Sequence, residues 1–339
     1  MGVQISEILP KQEISFDELT NRKIAIDAFN WLYQFLSSIR QYDGTPLKDL
    51  KGNTTSHLSG LFYRTAKLLE AGIKPVYVFD GEPPEFKINA MQQRKIAKEQ
   101  AMEKWERAVE TGDIEEAKKQ AQRTAELTKE MIEESKRLLE ALGLPIIQAK
   151  SEGEAQCAIM CKNQDVYSVA SQDADSLLFS SPKLIRNLNI VGKRKIRGGR
   201  EINIRPELIE LDTVLKTLEI NHDQFIIISI LIGTDYNIGG IKGIGPKKAL
   251  NLVKKHKTFD KVFNQVEWNF EVKPEKIFDF FKNPLYNKYE IVFKKVQPEM
   301  IKKILCDEHD FSEERIDSVL KKLEETPNQA SLGGWLKSG

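Results

Sequence analysis

Little in this chain of 339 residues supports thiol, zinc or membrane chemistry. Three cysteines and four histidines are scattered too widely for a Cys/His zinc framework, and so few cysteines suit a reducing compartment rather than a disulfide scaffold. No apolar run approaches the roughly 20 residues that span a bilayer. The longest, from Phe225 to Ile232, fits a buried helix. The N-terminus lacks a basic-then-apolar leader. Net charge is only +1, so bulk electrostatics point to no particular partner. What is present is a 40% hydrophobic fraction beneath 30% charged residues, enough for one large α/β domain with elaborations or for two domains.

The charges are unevenly placed. Lys183 to Arg205 holds eight basic residues against the single acid Glu201, and Lys242 to Lys257 holds six lysines and a histidine with no acid. Hydrophobic periodicity predicts strands at Arg22–Asp27, Lys74–Asp80, Pro145–Gln148, Val166–Ala170 and Leu184–Leu188. Helices are expected over Phe29–Arg40, Thr54–Ala71 and Glu152–Asn163, the last with Ser151 as N-cap. Strands alternating with helices imply a mixed, largely parallel central sheet with helices on both faces. About sixty residues between Pro83-Pro84 and Gly143 have helical composition, broken at Thr111-Gly112-Asp113. They read either as a helical excursion beyond the sheet or as a solvated hairpin. Beyond about residue 205 the chain is expected to be helical again, ending in a Gly/Ser/Asn-bearing tail from Thr326.

Acids fall where the strands end. Asp27 and Asp80 close the first two, Asp173 and Asp175 follow the fourth, and Glu152 and Glu154 open the helix before it. Ligands of open parallel sheets bind beyond the carboxyl ends of the strands. One acid at a helix start only complements the dipole, but several converging there repel one another unless a cation neutralises them. All-oxygen donors select Mg²⁺ or Mn²⁺, and a cluster this acidic suits two ions acting on a phosphodiester. Lys87 and Arg94, seven apart on the helix after Asp80, share a face that can return to that edge as a charge clamp. Gly240–Ala249 (GIKGIGPKKA) has the form of a helix–hairpin–helix turn, its glycines and a helix starting near Pro246 presenting N–H groups to a phosphate. Lys247 and Lys248 add charge without reading bases. Pro246 excludes a Walker A loop, and Lys248 excludes a GxGxxG fingerprint. Asp235, just upstream, can approach the acidic edge from a third direction. A myristoylation pattern at Gly2 is loose, Cys157 and Cys161 fit a core face better than a redox pair, and the histidines form no nucleophilic triad.

These segments, in order, resemble the flap endonuclease family of the structure-specific 5′-nuclease superfamily over essentially the whole chain: MGVQ, AIDAFNWLYQFL, TTSHLSGLFYRT, KPVYVFDGEPPEFK, AKSEGEAQC, ASQDADSLLF, LIGTDYN and GIKGIGPKKAL. The resemblance implies a PIN-like nuclease fold carrying a helical arch over the active site and a helix–hairpin–helix element. It implies a metal-dependent phosphodiesterase that cuts displaced 5′ DNA or RNA flaps and has 5′→3′ exonuclease activity, serving lagging-strand maturation and long-patch base-excision repair. The family's metal carboxylates fall on Asp27, Asp80, Glu152, Glu154, Asp173, Asp175 and Asp235, holding two Mg²⁺ ions that Mn²⁺ can replace. Its phosphate-handling bases fall on Lys87 and Arg94 and its stacking aromatic on Tyr33. DNA contacts fall on Arg40, Arg64, Glu152, Gly233 and Asp235, and on Gly243, Gly245, Lys247 and Lys248 of the hairpin, whose carbonyls can hold K⁺.

The resemblance divides the chain into an N-terminal nuclease region (1–98), an arch (84–135), an internal nuclease region (116–258) with the hairpin at 235–257, a C-terminal helical region (259–325) and a tail (326–339). In that tail Gln329, Leu332, Trp335 and Leu336 match the box that docks on a ring-shaped sliding clamp of the PCNA type, although Leu336 stands where the family has a second aromatic. The absence of a basic extension after it favours an archaeal-like member, with a cytoplasmic or nucleoid location. A monomer acting on branched DNA away from membranes is the expectation. The rivals are a catalytically dead junction scaffold and a nuclease preferring bubbles, gaps or processive digestion.

Overall fold

The structure is a computed structural model that describes residues 3, 5–121, 123–189, 193–195 and 201–325, with the side chains of 88–91, 93–94, 114, 118, 193–195 and 201–203 left out. The clamp-box residues Gln329, Leu332, Trp335 and Leu336 lie outside the described residues, as does the Arg94 side chain.

In chain order the first half comprises β1 (Gln12–Glu13), β2 (Lys23–Asp27), α1 (Ala28–Ser38), α2 (Ser56–Glu70), β3 (Lys74–Phe79), α3 (Ile88–Glu110), α4 (Ile114–Ala121) and α5 (Lys129–Ala141). Then follow β4 (Ile146–Gln148), α6 (Gly153–Lys162), β5 (Ser168–Ala170), α7 (Asp175–Leu178), β6 (Lys183–Arg186), β7 (Lys193–Lys195), β8 (Glu201–Asn203) and β9 (Glu207–Glu210). The remainder is helical: α8 (Leu211–Leu218), α9 (His222–Ile232), α10 (Pro246–His256), α11 (Phe259–Phe263), α12 (Pro274–Lys282), α13 (Pro298–Lys302) and α14 (Glu313–Glu325).

All five expected strands exist, each within a few residues of its predicted limits. They form the parallel centre of a seven-stranded sheet ordered β1-β9-β6-β5-β2-β3-β4, whose edge pairs β9–β6 and β1–β9 are antiparallel. The strand β9 corrects the expectation that the chain is helical from about 205, and the basic stretch before it also carries the separate hairpin β7–β8. β9 is only four residues long, and its pattern ELIE carries too little alternation to separate it from the start of α8.

Both faces of the sheet are covered, so its strands are buried on both sides. Ile24 and Ile26 of β2 and Tyr77 and Phe79 of β3 enter one core with α1, α2 and α5. Ala25, Val76 and Val78 alternate into the other with α6, α7 and α9. The apolar stretch of α9 is buried from Phe225 through Leu231, as a fully packed helix should be.

From β2 the chain builds outward to β3 and β4, then returns to the other side of β2 for β5 and β6. The gap between β2 and β5 is therefore the switch point where an open α/β sheet forms its binding crevice. The polar stretch after Asp80 forms α3 and α4, packed together through Ala101, Ala108, Ala117 and Ala121. They are separated at Gly112, in the break expected at Thr111-Gly112-Asp113, where its φ of +73° makes the left-handed turn.

Candidate active site

Three adjacent parallel strands, β5, β2 and β3, deliver their acids to one edge. Asp27 ends β2 and is also the N-cap of α1, its Oδ1 accepting from the Asn30 N–H at 3.0 Å. Asn30 then reaches across the switch point, donating from Nδ2 to Asp173 Oδ2 at 2.9 Å while its Oδ1 accepts from the Gln172 N–H at 3.2 Å. One asparagine thereby ties the ends of β2 and β5 together.

Asp80, immediately after β3, caps a helix that is not its own: its Oδ1 accepts from the Gly153 N–H, the first of α6, at 2.7 Å. This corrects the assignment of Ser151 as N-cap. The N-cap position is Glu152, whose side chain makes no capping bond, and the buried Ser151 hydroxyl has no hydrogen-bond partner. The carboxylate that satisfies the helix comes from another strand, which local sequence cannot reveal. Gly153 gives the carboxylate room here, because a Cβ at that position would lie 2.6 Å from Asp80 Oδ1 and make it shift.

Glu152 turns instead to Lys87, whose ammonium lies 2.8 Å from Oε1 and 2.6 Å from Oε2 and 4.0 Å from Asp235 Oδ2. Lys87 is the N-cap of α3, at the end of a 3₁₀ turn over Glu85–Lys87, not within the helix that carries Arg94. Glu154 Oε1 accepts from Ser171 Oγ at 2.8 Å, and Asp175 Oδ1 accepts from the Val3 N–H at 2.9 Å.

The acids feel one another. Burial, then Asp80, holds Asp27 well above the usual carboxylate range. Burial and then Glu152 lift Asp80 to about 6, against the pull of Lys87 and the Gly153 N–H. Burial, followed by Asp235 and Asp173, takes Asp175 to about 7. Glu154 is raised by burial, then by Asp175, Asp27 and Asp173. Burial works to lower the Lys87 ammonium, yet Glu152, Asp235 and Asp80 raise it overall.

All seven predicted metal carboxylates thus share one electrostatic neighbourhood. As the side chains stand, no three acidic, His or Cys side chains among the described residues are gathered closely enough to close on a single ion. Separate donors hold them: Asn30, Gly153, Ser171, Val3 and Lys87. The set still fits hard divalent cations. Its donors are oxygens, Asp27 and Asp175 are buried and the others half-buried, and its own charges raise one another, which a cation would relieve. Cys157 is fully buried, and burial, then Asp27 and Glu154, push its thiol up and favour its neutral form.

The remaining predicted residues surround this centre. Tyr33, one turn along α1 from Asn30, is 46% exposed. Arg40 spends two donors on the Ser37 and Gly44 carbonyls, at 3.2 and 3.0 Å, closing the turn after α1. Arg64 is half-buried on α2. Gly233 ends α9 at φ +115°, and a Cβ there would meet the Gly240 nitrogen at 2.6 Å, so its backbone underlies the hairpin. α10 starts at Pro246 behind Gly245, in front of which a Cβ would meet nothing within 4 Å. Lys248 Nζ donates back to the Gly243 carbonyl at 2.9 Å, and exposed Lys247 lies 3.4 Å from Glu7.

Sequence reasoning missed Asn30, Ser171 and Gly153. Only Asn30 left a trace, as a polar residue at the third helical position inside an apolar run. It also treated the histidines as separate. His57 and His309 both meet Glu134, at 3.0 and 3.5 Å, and His309 Nδ1 lies 3.2 Å from Asp49.

A largely parallel sheet whose switch point gathers carboxylates beside a half-buried lysine is an arrangement suited to metal-dependent cleavage of phosphodiesters. Family models for the XPG N-terminal domain and the XPG I-region match residues 1–101 and 143–235. The chain is 53% identical to flap endonuclease 1 of Pyrococcus furiosus, over 99% of this chain and 100% of that protein. It overlays the solved flap endonuclease-1 from Methanococcus jannaschii with a TM-score of 0.77 at 42% identity, covering 97% of this chain and 99% of that one. The catalytic core of Rad2 in complex with DNA substrate shares the fold at 24% identity, with a TM-score of 0.73 over 95% of this chain and all of that one (100%). The chain belongs to the flap endonuclease family. It is a metal-dependent enzyme hydrolysing DNA phosphodiester bonds.

Proposed function

We propose that this chain, a structure-specific flap endonuclease, removes displaced 5′ flaps of DNA or RNA with two Mg²⁺ ions, replaceable by Mn²⁺, and also digests 5′→3′. The observation that carries the reading is the convergence of Asp27, Asp80, Asp173 and Asp175 at the carboxyl ends of three neighbouring parallel strands, facing Lys87, Glu152 and Asp235. When bound, the ions supply Lewis-acid activation of water and of the scissile phosphate. The seven acids hold the ions directly or through waters. Lys87 offsets charge on the phosphate oxygens, with Arg94 from α3 as its companion. Tyr33 stacks beside the cleaved bond.

The α3–α4 excursion serves as the arch through which a free 5′ end passes. Gly243, Gly245, Lys247 and Lys248 grip duplex backbone, with Gly233 beneath them and K⁺ on the hairpin carbonyls. Arg40 and Arg64 contact DNA further along. The regions 1–98, 84–135, 116–258 and 259–325 divide these tasks, and Gln329, Leu332, Trp335 and Leu336 in the tail dock a PCNA-type clamp. Lagging-strand maturation and long-patch repair, inside the cell, are where such flaps arise.

The experiment is single-turnover cleavage of flap, bubble and nicked substrates side by side. Preference for the flap supports the reading, and preference for the bubble refutes it. Truncation after Thr326 is expected to spare cleavage while weakening clamp stimulation; unchanged stimulation removes the box from the account.

A further inference from the structure

Lys87 can meet the acids only if the short turn that carries it stays in place. That turn, Glu85–Lys87, follows Pro83-Pro84, and the Lys87 N–H bonds the Pro84 carbonyl at 2.8 Å. On its outer flank, beside Glu85 and Phe86, lies an open cleft of about 600 Å³ bounded by Lys273 and Glu275. The turn thus borders open space into which it could move unless other contacts hold it.

What opposes that movement is aromatic. The Phe86 ring stands edge-on to Tyr236 at 5.1 Å and to Phe280 at 5.3 Å, and the Lys276 ammonium sits 5.0 Å from its centroid. Phe280 also meets Tyr236 at 5.1 Å, closing a triangle of rings. Each corner has a different attachment. Phe86 precedes Lys87, and Tyr236 follows Asp235 in a loop fixed by Asn237 on Thr234 at 2.7 Å. Phe280 and Lys276, four residues apart, form one face of α12, which carries none of the acids.

We infer that the Lys276–Phe280 face of α12 is a positioning device for Lys87, holding its turn against the Asp235 loop through the ring of Phe86. The inference rests on the reading of Lys87 as the phosphate-facing base. Phe280, which also meets the Phe179 ring at 5.6 Å, acts on Lys87 through Phe86, so a loosened turn lowers the rate of the chemical step and leaves flap affinity alone. Edge-to-face ring contacts and a cation over a ring face suit this role, because they fix angle as well as distance.

The test is a double-mutant cycle on the full chain with a 5′-flap oligonucleotide, scoring single-turnover rate, flap affinity and amide exchange at residues 85–87. Phe280→Ala is expected to slow cleavage about tenfold with flap affinity unchanged, to speed exchange of the Lys87 amide, and to add nothing further in a Lys87→Ala background. Phe280→Leu, which keeps most of the volume, recovers most of the rate. Lys276→Gln, at the edge of the cleft and harmless to the core, slows cleavage about two- to threefold and also loses its effect beside Lys87→Ala. The inference is overturned if Phe280→Ala or Lys276→Gln lowers the rate by the same factor with and without Lys87, or if both match the wild type while Lys87→Ala is slow. Lys87→Ala with wild-type turnover would overturn the reading of Lys87 and the inference together, a pattern distinct from the other two.

Discussion

Lys87 and Glu152, 65 positions apart, form a two-pronged ion pair at 2.8 and 2.6 Å, with side chains only 12% and 14% exposed. The pair holds the start of α3 to the start of α6 and puts a cation among acids that would otherwise face one another. Replacing Lys87 by Met should slow single-turnover cleavage by about 10²–10³-fold, the scale on which one electrostatic donor to a transition state is worth. Flap affinity in gel-shift measurements should change far less, and a parallel loss of affinity would mean that Lys87 binds substrate and does not act on the chemical step.

Removing an acid should separate activity from stability. Asp175→Asn keeps an oxygen for the Val3 N–H and deletes one of several mutually repelling charges. Metal-free protein at pH 8 should therefore melt higher than wild type, while Asp80→Ala and Asp173→Ala abolish cleavage and retain flap binding. A lower melting point for Asp175→Asn would show that the charge is satisfied without a cation.

The pH dependence has a defined sign. Folding raises Asp80 to about 6 and Asp175 to about 7, above the unfolded carboxyl near 3.8. The folded state thus binds more protons than the unfolded chain between roughly pH 4 and 7. Stability of metal-free protein is fully present below that window and is lost as pH rises through it, by up to about 1.4 kcal/mol per pH unit for each group. Thermal melts in EDTA should fall from pH 5 to pH 8, and Mg²⁺ should raise them more at pH 8 than at pH 5. An equal Mg²⁺ effect at both values would disconnect the ions from these carboxylates.

Gly153→Ala tests the borrowed helix cap. A Cβ 2.6 Å from Asp80 Oδ1 must displace that carboxylate or tilt α6, so cleavage should drop although no titratable group has changed. A rate within twofold of wild type would show that Asp80 works from a position other than the one on the Gly153 amide.

Away from the site, Glu134 on α5 joins His57 of α2 to His309 near the C-terminal helices. Glu134→Ala leaves the fully buried His57 ring without that partner and should cost about 1–3 kcal/mol in urea unfolding, with cleavage intact at 25 °C. An unchanged unfolding midpoint would mean that packing alone holds these elements.

The acids, the strands before them and the glycine-rich turn were legible in the sequence because each is a local signal. A strand that buries both faces must be apolar throughout, and the residue that ends it is the first free to carry charge, as Asp27 and Asp80 do after Ile24–Ile26 and Val76–Phe79. Long-range pairings leave no such mark. Asn30 reaching Asp173, Asp80 capping α6 in place of Ser151, Ser171 holding Glu154 and Phe280 bracing Phe86 connect segments from 17 to nearly 200 residues apart. Their partners exist only once the sheet has ordered β5, β2 and β3 side by side. Sequence alone settled which charges this protein carries and at which element ends. Tertiary structure decided which donor holds each one, because hydrogen bonds and ring contacts act over a few ångströms of space and take no account of separation along the chain.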